Sequence, residues 1–359
     1  MTKLPNTVFI TRKWPPAIGG METWSLKLSE ELVKLGSVRI IALPGRANGM
    51  PPTIAALLAF PIVAAWNYFR GGSAPSILHV GDMALWPVGL FARFRYGPTR
   101  VILSAHGTDV SYPKRGGMRG KLYERYLRLG ARLLSKSVVI ANSQATKAAT
   151  ETLGWRMTRV VPLATDVPRS LHDGNHNGKI LFVGRLVKRK GCAWFIRNVL
   201  PELPQDTVLQ VAGTVSDREE RSALEAPNVE YCGSLRGEAL TNAYRNAMCV
   251  IVPNIELANG EFEGFGLVAT EAAAAGGVVL AARCGGLPEA VVEGRTGFLV
   301  AAGNPADWVG AIQRIGGWSE QERADYTSAS VNVVREHFSW RRVALDVAQI
   351  YCEAVDEEC

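Results

Sequence analysis

Short apolar runs alternate with amphipathic stretches along this chain, and that alternation limits the folds it can adopt. The pattern stops at a polar segment over 168–178 and then begins again. Strand–helix alternation of this kind predicts an α/β fold with mostly parallel sheets and helices on both faces, here as two tandem doubly wound domains. The expected strands are 7–11, 38–43, 76–80, 101–105, 137–141 and 159–162, then 179–183, 207–212, 229–232, 249–252, 278–282 and 297–300. Expected helices include 22–34, 121–135, 194–199, 237–246, 268–275 and 305–315.

Charge is distributed unequally between the two halves. The net charge of the 359 residues is +7, but residues 1–165 carry 22 Lys and Arg against 7 Asp and Glu. The remainder carries 18 against 26. The first half is therefore expected to face something anionic, such as nucleic acid, an anionic membrane or a phosphorylated substrate. No nucleic-acid motif or interleaved aromatic platform is present, so nucleic acid is not an expected partner.

The cysteines and the N-terminus indicate the compartment. None of the six cysteines forms a C-x-x-C pair, which disfavours zinc and a disulfide framework and favours a reducing compartment. The first eleven residues contain a short apolar run rather than a secretory segment. The apolar stretch 51–69 contains three prolines and is expected to form a buried or interfacial helix. These features predict a cytoplasmic protein.

The motif over 263–271 carries the strongest chemical signal. It reads E-G-F-G-L-V-A-T-E, with a carboxylate at each end and a glycine-bracketed turn after the first. Glycines let backbone amides approach a ligand, and the helix that follows offers free N–H groups. Glu263 and Glu271 can therefore border one pocket, although an ordinary turn with two solvated glutamates has the same pattern.

Three further motifs follow predicted strands. Basic residues follow the strand that ends near Gly184, where Arg185 can bind a diphosphate through two parallel bonds and Lys190 adds a point charge. A solvated basic loop is the alternative. The paired glycines Gly19 and Gly20 follow the first strand and match neither a dinucleotide fingerprint nor a P-loop. His106 follows another predicted strand, where it can form a hydrogen bond with a sugar hydroxyl. A simple turn at this position is the alternative.

The chain lacks D-x-D, H-E-x-x-H and a cysteine–histidine cluster. We therefore expect no metal and no cofactor. A diphosphate leaving group must still be neutralised, and Arg185, Lys190 and helix-terminal amides are the available groups.

Taken together, these motifs resemble the family 4 glycosyltransferases of GT-B fold. The resemblance rests on 263–300, which includes G-G-L-P-E and G-R-T-G, on G-R-L-x-x-x-K-G over 184–191, and on Gly19-Gly20, His106-Gly-Thr-Asp109 and Ala141-Asn-Ser143. It covers nearly the whole chain and implies two Rossmann-like domains facing across a cleft. Two departures stand out: Leu163-Ala-Thr-Asp166 replaces the family's usual Asn-Gly-Val-Asp, and Val278 replaces a proline. The first bears on the hinge or the donor edge, and the second is expected to matter little.

The resemblance also implies roles. Arg185 and Lys190 would hold the diphosphate of a UDP- or GDP-sugar, and Glu271 the nucleotide ribose. Glu263 and the backbone of Gly264, Phe265, Gly266 and Leu267 would meet the transferred hexose or N-acetylhexosamine. Gly19 and Gly20 would approach the phosphates, and His106 would lie near the sugar and the acceptor. The family retains anomeric configuration, by front-face attack or through a short-lived ion pair. As catalytic residues this gives Glu263, His106, Arg185 and Lys190.

The same resemblance implies domains 1–167 (acceptor side), 168–338 (nucleotide-sugar side) and a closing helix over 339–359 that crosses back. A basic amphipathic stretch in the first domain predicts attachment to the inner face of an anionic membrane and a lipid-linked or glycan acceptor. A domain helix with a solvated basic face is the alternative. The cations of this basic stretch are Lys114, Arg115, Arg119, Lys121, Arg125, Arg128 and Arg132. A catalytically silent, membrane-associated protein that binds nucleotide-sugar is the competing function, which only turnover excludes.

Overall fold

The structure, a computed structural model, describes residues 4–72, 74–97, 99–168 and 176–356. Most of the polar segment predicted as a linker falls at 169–175, outside the described residues. Twelve strands form in the described ranges: β1 Thr7–Trp14, β2 Val38–Pro44, β3 Ile77–Val80, β4 Arg100–Ala105, β5 Val138–Ala141, β6 Met157–Val160, β7 Ile180–Val183, β8 Leu209–Ala212, β9 Val229–Tyr231, β10 Cys249–Val252, β11 Val279–Ala282 and β12 Phe298–Val300.

Helices lie between most of these strands, and three more follow the last strand. They are α1 Gly20–Leu35, α2 Ile54–Phe69, α3 Trp86–Tyr96, α4 Thr108–Ser111, α5 Gly117–Leu133, α6 Gln144–Thr152, α7 Cys192–Asn198, α8 Arg218–Ala223, α9 Gly237–Asn246, α10 Leu267–Ala274, α11 Leu287–Ala290, α12 Pro305–Gly316, α13 Glu320–His337 and α14 Trp340–Asp356.

Each half forms its own parallel six-stranded sheet. The first sheet has the order β2-β1-β3-β4-β5-β6, and the second has the order β12-β11-β10-β7-β8-β9. Strand order therefore reverses between β1 and β3 in one sheet and between β7 and β10 in the other. In open α/β sheets a ligand binds beyond the carboxyl ends of the strands at this reversal. The fold thus selects two strand ends in each sheet as candidate sites.

The chain divides into two compact units, with boundaries between Leu163 and Ala164 and between Ser339 and Trp340. The last helix, α14, belongs to the first unit and packs against α1. Within that unit the Tyr351 hydroxyl shares a hydrogen bond of 2.6 Å with His79 Nδ1, while His79 Nε2 lies 2.7 Å from Ser104 Oγ. A buried polar chain therefore connects α14 to β3 and β4.

Val278, one of the two departures from the family pattern, lies immediately before β11 and is fully buried. Its carbonyl accepts a backbone hydrogen bond of 2.7 Å from Val250. An apolar, β-branched side chain suits a buried position next to a strand. The sequence prediction placed Val278 inside the strand, which begins one residue later.

Candidate functional site

In the second unit, side chains from two strand ends at the sheet reversal meet. Lys190 follows β7, and Asn254 follows β10. Glu263 lies on the segment that leads from β10 to α10. The sheet topology therefore places the basic motif and the acidic motif, which are more than 70 residues apart in sequence, at one carboxyl edge.

A close ion pair joins the two motifs. Lys190 Nζ lies 2.8 Å from Glu263 Oε2, and Arg189 Nε lies 3.8 Å from the same oxygen. Asn254 Nδ2 donates a hydrogen bond of 3.4 Å to that oxygen as well. Because every one of these contacts among the described residues reaches Oε2, Oε1 is the oxygen of Glu263 that can accept a hydrogen bond from a ligand hydroxyl.

Glu263 is ionised in this setting. Burial opposes its ionisation, but Lys190 and Arg189 outweigh burial and hold the pKa of Glu263 below its ordinary value. An ionised carboxylate only accepts hydrogen bonds. Glu263 can therefore bind hydroxyls or stabilise positive charge, and it cannot act as a general acid in this state.

Glycines in the two loops allow their close approach. Gly191 has φ +72, and a Cβ there would lie 1.9 Å from the Pro253 carbonyl oxygen. A Cβ on Gly286 would lie 2.2 Å from the Gly264 carbonyl oxygen, and the Gly286 amide donates to the Glu263 carbonyl. Backbone packing of this kind leaves no room for side chains, so the loops hold Lys190 and Glu263 together.

The second carboxylate of the acidic motif has a different environment. Glu271 lies within α10, and the Tyr244 hydroxyl donates a hydrogen bond of 3.3 Å to its Oε2. Burial raises the pKa of Glu271, which the Tyr244 hydrogen bond and the Lys190 charge only partly offset. The two glutamates of the motif are thus pushed in opposite directions, Glu263 toward the charged form and Glu271 toward the neutral form.

The other predicted residues of the second unit are placed as follows. Arg185 is exposed directly after β7. Gly264 lies in the turn, and Phe265 is 2% exposed and packs against Phe338 with ring centroids 6.3 Å apart. Gly266, at φ +99, precedes α10, and Leu267 begins it. A positive φ at the helix start explains why glycine is needed there.

In the first unit, His106 is almost buried and its ring orientation is fixed. Its Nε2 lies 3.0 Å from the Gly81 carbonyl, which can only accept, so Nε2 carries the proton. Nδ1 is then the ring nitrogen that can accept a hydrogen bond. Trp24 packs edge-on against the imidazole with centroids 4.5 Å apart, and Asp109 Oδ1 accepts from the His106 amide at 2.9 Å.

Gly19 precedes α1, whose first residue is Gly20. A Cβ on Gly19 would lie 2.4 Å from Glu22 Oε2, and Lys13 Nζ lies 3.7 Å from the other Glu22 oxygen. A carboxylate in the first helical turn suits the positive end of the helix dipole. Glu22 therefore lies beside Gly19, one of the two glycines that the sequence predicted to approach phosphates.

Several residues at these sites were missed by sequence reasoning. Asn254, Arg189 and Tyr244 contact the two glutamates, and an Arg12–Asp82 ion pair of 2.9 Å bridges the ends of β1 and β3 at the reversal of the first sheet. Asn254 and Asp82 each lie two residues beyond the end of a strand, a signal that could have found them. Tyr244 lies on α9 and is 3% exposed, so its sequence context matches that of any core tyrosine.

The basic stretch forms α5, preceded by Lys114 and Arg115. The cations Arg119, Lys121, Arg125, Arg128 and Arg132 are exposed, and Arg128 pairs with Glu124 at 2.9 Å. The inward face is formed by Gly120, Leu127, Gly130 and Ala131. No helix in the described ranges is both long and apolar enough to cross a membrane. In the same ranges, no group of three or more His, Cys, Asp or Glu side chains is arranged to hold a metal ion.

Two family profiles match the chain. Residues 18–169 match the profile described as Glycosyltransferase Family 4, and residues 177–316 match the one described as Glycosyl transferases group 1. The first profile covers β2 to β6 of the first sheet, and the second covers all six strands of the second sheet.

Curated relatives are similar over about half of this chain. The D-inositol 3-phosphate glycosyltransferase of Corynebacterium kroppenstedtii is 32% identical over 194 residues, covering 50% of this chain and 41% of that protein. The protein of the same name from Corynebacterium diphtheriae is 34% identical over 199 residues, covering 49% and 45%. The matched region therefore spans less than half of the length of these relatives.

Solved structures share the fold over nearly the whole chain. Sucrose-phosphate synthase from Thermosynechococcus elongatus has a TM-score of 0.74 at 19% identity and covers 98% of this chain and 100% of that one. Anabaena HepE in complex with UDP-glucose has a TM-score of 0.70 at 18% identity, covering 97% and 99%. These likenesses confirm the fold class that the sequence predicted, two Rossmann-like domains of GT-B type. With a glycosyltransferase profile on each of its two sheets, the chain belongs to the family 4 glycosyltransferases.

Proposed function

We propose that this chain transfers a hexose or N-acetylhexosamine from a UDP- or GDP-sugar to an acceptor, with retention of anomeric configuration and without a metal ion. One observation carries the proposal: an ionised Glu263, held by Lys190 and Arg189 at the sheet reversal of the second unit. A half-buried carboxylate with a fixed orientation and one oxygen able to accept a hydrogen bond suits a sugar rather than a phosphate.

The basic residues next to Glu263 suit the leaving group. A departing nucleoside diphosphate gains negative charge as the glycosidic bond breaks, and fixed cations stabilise that charge. Arg185 is exposed at the end of β7 and can bind two phosphate oxygens together, while Lys190 supplies a point charge. Glu263 orients Lys190 through the 2.8 Å contact. These cations supply the role that a divalent metal would otherwise have.

The sugar and the nucleotide are assigned to different parts of the acidic motif. Glu263 Oε1 accepts hydrogen bonds from sugar hydroxyls, and the backbone amides from Gly264 to Leu267 donate hydrogen bonds to them. Glu271, within α10, binds the ribose hydroxyls. In the first unit, Nδ1 of His106 accepts a hydrogen bond from a hydroxyl, and Gly19 and Gly20 meet the phosphates. Retention follows from front-face attack or a short-lived ion pair, and an ionised Glu263 is compatible with either.

A solved neighbour supports the donor class, and the charge of α5 supports the acceptor class. HepE was solved with UDP-glucose and with UDP, which supports a nucleotide-sugar donor here. The curated relatives are named for glycosyl transfer to D-inositol 3-phosphate. We propose a lipid-linked or membrane-located glycan acceptor, because the exposed cations of α5 suit an anionic surface. The protein would then be cytoplasmic and peripheral on the inner face of the membrane.

A donor panel tests this proposal. Purified protein is incubated with UDP- and GDP-sugars and a membrane lipid extract, with and without a chelator, and released nucleotide is measured. We expect turnover with one donor, unchanged by the chelator, and a product whose anomeric configuration by NMR equals that of the donor. Loss of turnover on chelation would contradict the metal-free part. Nucleotide binding by calorimetry without any release would contradict the enzyme and favour a silent binding protein.

A further inference from the structure

The outer face of α2 exposes a continuous apolar ridge. Ile54, Leu58, Ile62 and Trp66 are 77%, 74%, 75% and 62% exposed, and successive members are four residues apart. Side chains at this spacing lie along one face of a helix. Large apolar groups this exposed and this contiguous mark an interaction surface rather than ordinary surface composition.

The opposite face of α2 is packed in the core of the first unit, so the ridge is a second, outward apolar face of the same helix. Phe60, Ala64 and Tyr68 are buried, and α2 packs against β1, β2 and α3. The helix has an N-cap at Thr53, whose side chain accepts from the Ala56 amide. With its own core contacts satisfied, α2 presents four further large apolar side chains outward.

The ridge continues onto the neighbouring helices. On α3, Phe94 is 88% exposed, and α3 packs against both α2 and α5. On α5, Met118, Leu122, Leu129 and Leu133 are also exposed, between the exposed cations. One layer of helices therefore carries apolar groups at its α2 side and a mixture of apolar and basic groups at its α5 side.

We propose that the α2 ridge and Phe94 insert into the apolar boundary of an anionic bilayer, while the α5 cations bind lipid head groups. A helix of 16 residues is about 24 Å long, short of the roughly 30 Å hydrocarbon core, so α2 lies in the membrane plane. Residues 51–69 include no charged side chain, and Arg70 at the helix end lies 5.9 Å from the Trp66 ring. That arrangement suits a headgroup boundary, where indole rings and cations are favoured.

Charge favours a bilayer over a second copy of this chain as the occupant. Residues 1–165 carry 22 Lys and Arg against 7 Asp and Glu, and α5 contributes a row of exposed cations beside the ridge. Two copies meeting on this surface would place these rows near each other, and like charges repel. An anionic leaflet attracts them instead.

Insertion and electrostatic attraction respond differently to salt, which makes the ridge separable from the α5 cations. Attraction between exposed charges and head groups is screened as salt rises, whereas apolar insertion is not. We therefore expect vesicle binding of the unaltered chain to keep a salt-resistant part that depends on α2.

The test uses uncharged substitutions, so that the net charge stays constant. The variant is the double substitution Leu58→Gln and Ile62→Gln, and the matched control is Val33→Gln, which alters a half-exposed apolar residue on α1. Binding to phosphatidylserine-containing vesicles is measured by flotation at low and high salt. The double variant is expected to bind about tenfold or more weakly and to lose the salt-resistant part, while Val33→Gln behaves as the unaltered chain.

A second measurement places Trp66 in the lipid. Fluorescence quenching by vesicles with brominated acyl chains is compared between the unaltered chain and Trp66→Phe, and the difference reports the depth of that indole. We expect strong quenching of the Trp66 component. Equal vesicle binding of the double variant and Val33→Gln, or an unquenched Trp66, would overturn the proposal. So would a dimer in sedimentation that the double variant converts to a monomer.

The inference rests on the proposed function only for the membrane location of the acceptor. Nucleotide release from the donor is therefore measured on the same samples without vesicles. Ridge-dependent vesicle binding in a chain without turnover would contradict the proposed function and leave the surface intact. If the double variant retains both turnover and vesicle binding, the proposed membrane surface is contradicted and the proposed function is not.

Discussion

Lys190 Nζ and Glu263 Oε2 lie 2.8 Å apart, although the two residues come from motifs on different strand ends of one sheet. The contact gives each group a function for the other. Lys190 and Arg189 keep the carboxylate charged, and the carboxylate holds the ammonium in one place. Removing one partner of a largely buried ion pair is costly, because the remaining charge loses its partner.

Lys190→Gln should reduce turnover by about 100-fold, since a fixed cation near the leaving group is lost. It should also reduce the free energy of unfolding by about 1–3 kcal/mol, because Glu263 loses its closest partner. Steady-state kinetics and denaturant unfolding measure the two effects. Lys188→Gln is the control, because Lys188 lies on the same turn and is exposed; equal losses in both variants would contradict the assigned pair.

The pair also has a pH signature. The folded-state pKa of Glu263 is lowered, so its contribution to stability is present above pH 4.5 and is lost as the pH falls through the folded-state pKa. In Lys190→Gln this acid-side loss should shrink. Denaturant unfolding on both sides of pH 4.5 measures it, and an unchanged pH slope would show that Lys190 does not lower the pKa.

Gly191→Ala should cost more stability than Gly233→Ala. Both positions have a positive φ, +72 and +67, so both alanines pay a backbone penalty of about 1–2 kcal/mol. Only at Gly191 would the new Cβ collide with the Pro253 carbonyl oxygen, at 1.9 Å, whereas Gly233 has nothing within 4 Å. Thermal unfolding compares the variants, and donor binding should weaken in Gly191→Ala alone. Similar melting temperatures would mean that the two loops are not in close contact.

Donor affinity should weaken as the pH falls, beginning above pH 4.5, because burial raises the pKa of Glu271. A protonated carboxyl group is a poor acceptor of hydrogen bonds from ribose hydroxyls. Tyr244→Phe removes a hydrogen bond that lowers this pKa, so the loss should move to higher pH. Calorimetric titration of UDP or GDP between about pH 5 and 8 checks this. Tyr231→Phe, an exposed tyrosine, should leave the profile unchanged; a profile that Tyr244→Phe also leaves unchanged would remove Glu271 from the nucleotide site.

His79 should make folding stability depend on pH. Burial lowers its pKa from 6.5 to about 3, so its neutral form is favoured in the folded state. The unfolded chain then binds the extra proton below pH 6.5, and stability is lost by up to about 1.4 kcal/mol per pH unit as the pH falls toward 3. His79→Gln should flatten that slope in denaturant unfolding. His337→Gln, at an exposed histidine, should not, and equal slopes in all three proteins would contradict the prediction.

The strands were predictable because parallel strands buried on both faces are short apolar runs. Cys249–Val252 matches its prediction residue for residue. Differences occur at ends where pairing decides the boundary: β1 runs on from Thr11 to Trp14 through a register shift opposite β2, and periodicity does not encode a bulge. The inward face of α5 shows another limit, because small residues form part of it. Gly120 and Gly130 face inward, while Leu122, Leu129 and Leu133 are exposed. Gly130 faces the Trp86 ring, and a Cβ there would lie 2.8 Å from it.

The site was predictable only in part. Sequence motifs select Glu263, Glu271, Arg185 and Lys190 as candidates, because glycine turns and charges follow strands. The order of strands then decides which of them meet, since the reversal between β7 and β10 brings Lys190 to Glu263. Tyr244 illustrates what remains hidden: its hydroxyl matters only because α9 places it beside Glu271, a relationship that no local pattern contains.

The most direct test of the account compares Glu263→Gln with Glu256→Gln, an exposed glutamate on the same segment. Nucleotide binding by calorimetry and nucleotide release from the preferred UDP- or GDP-sugar are measured on both. We expect Glu263→Gln to bind the free nucleotide within a few-fold of the unaltered chain while turnover falls about 100-fold or more. Glu256→Gln should change neither. Turnover in Glu263→Gln equal to that of the unaltered chain would contradict the assignment of Glu263 to the transferred sugar.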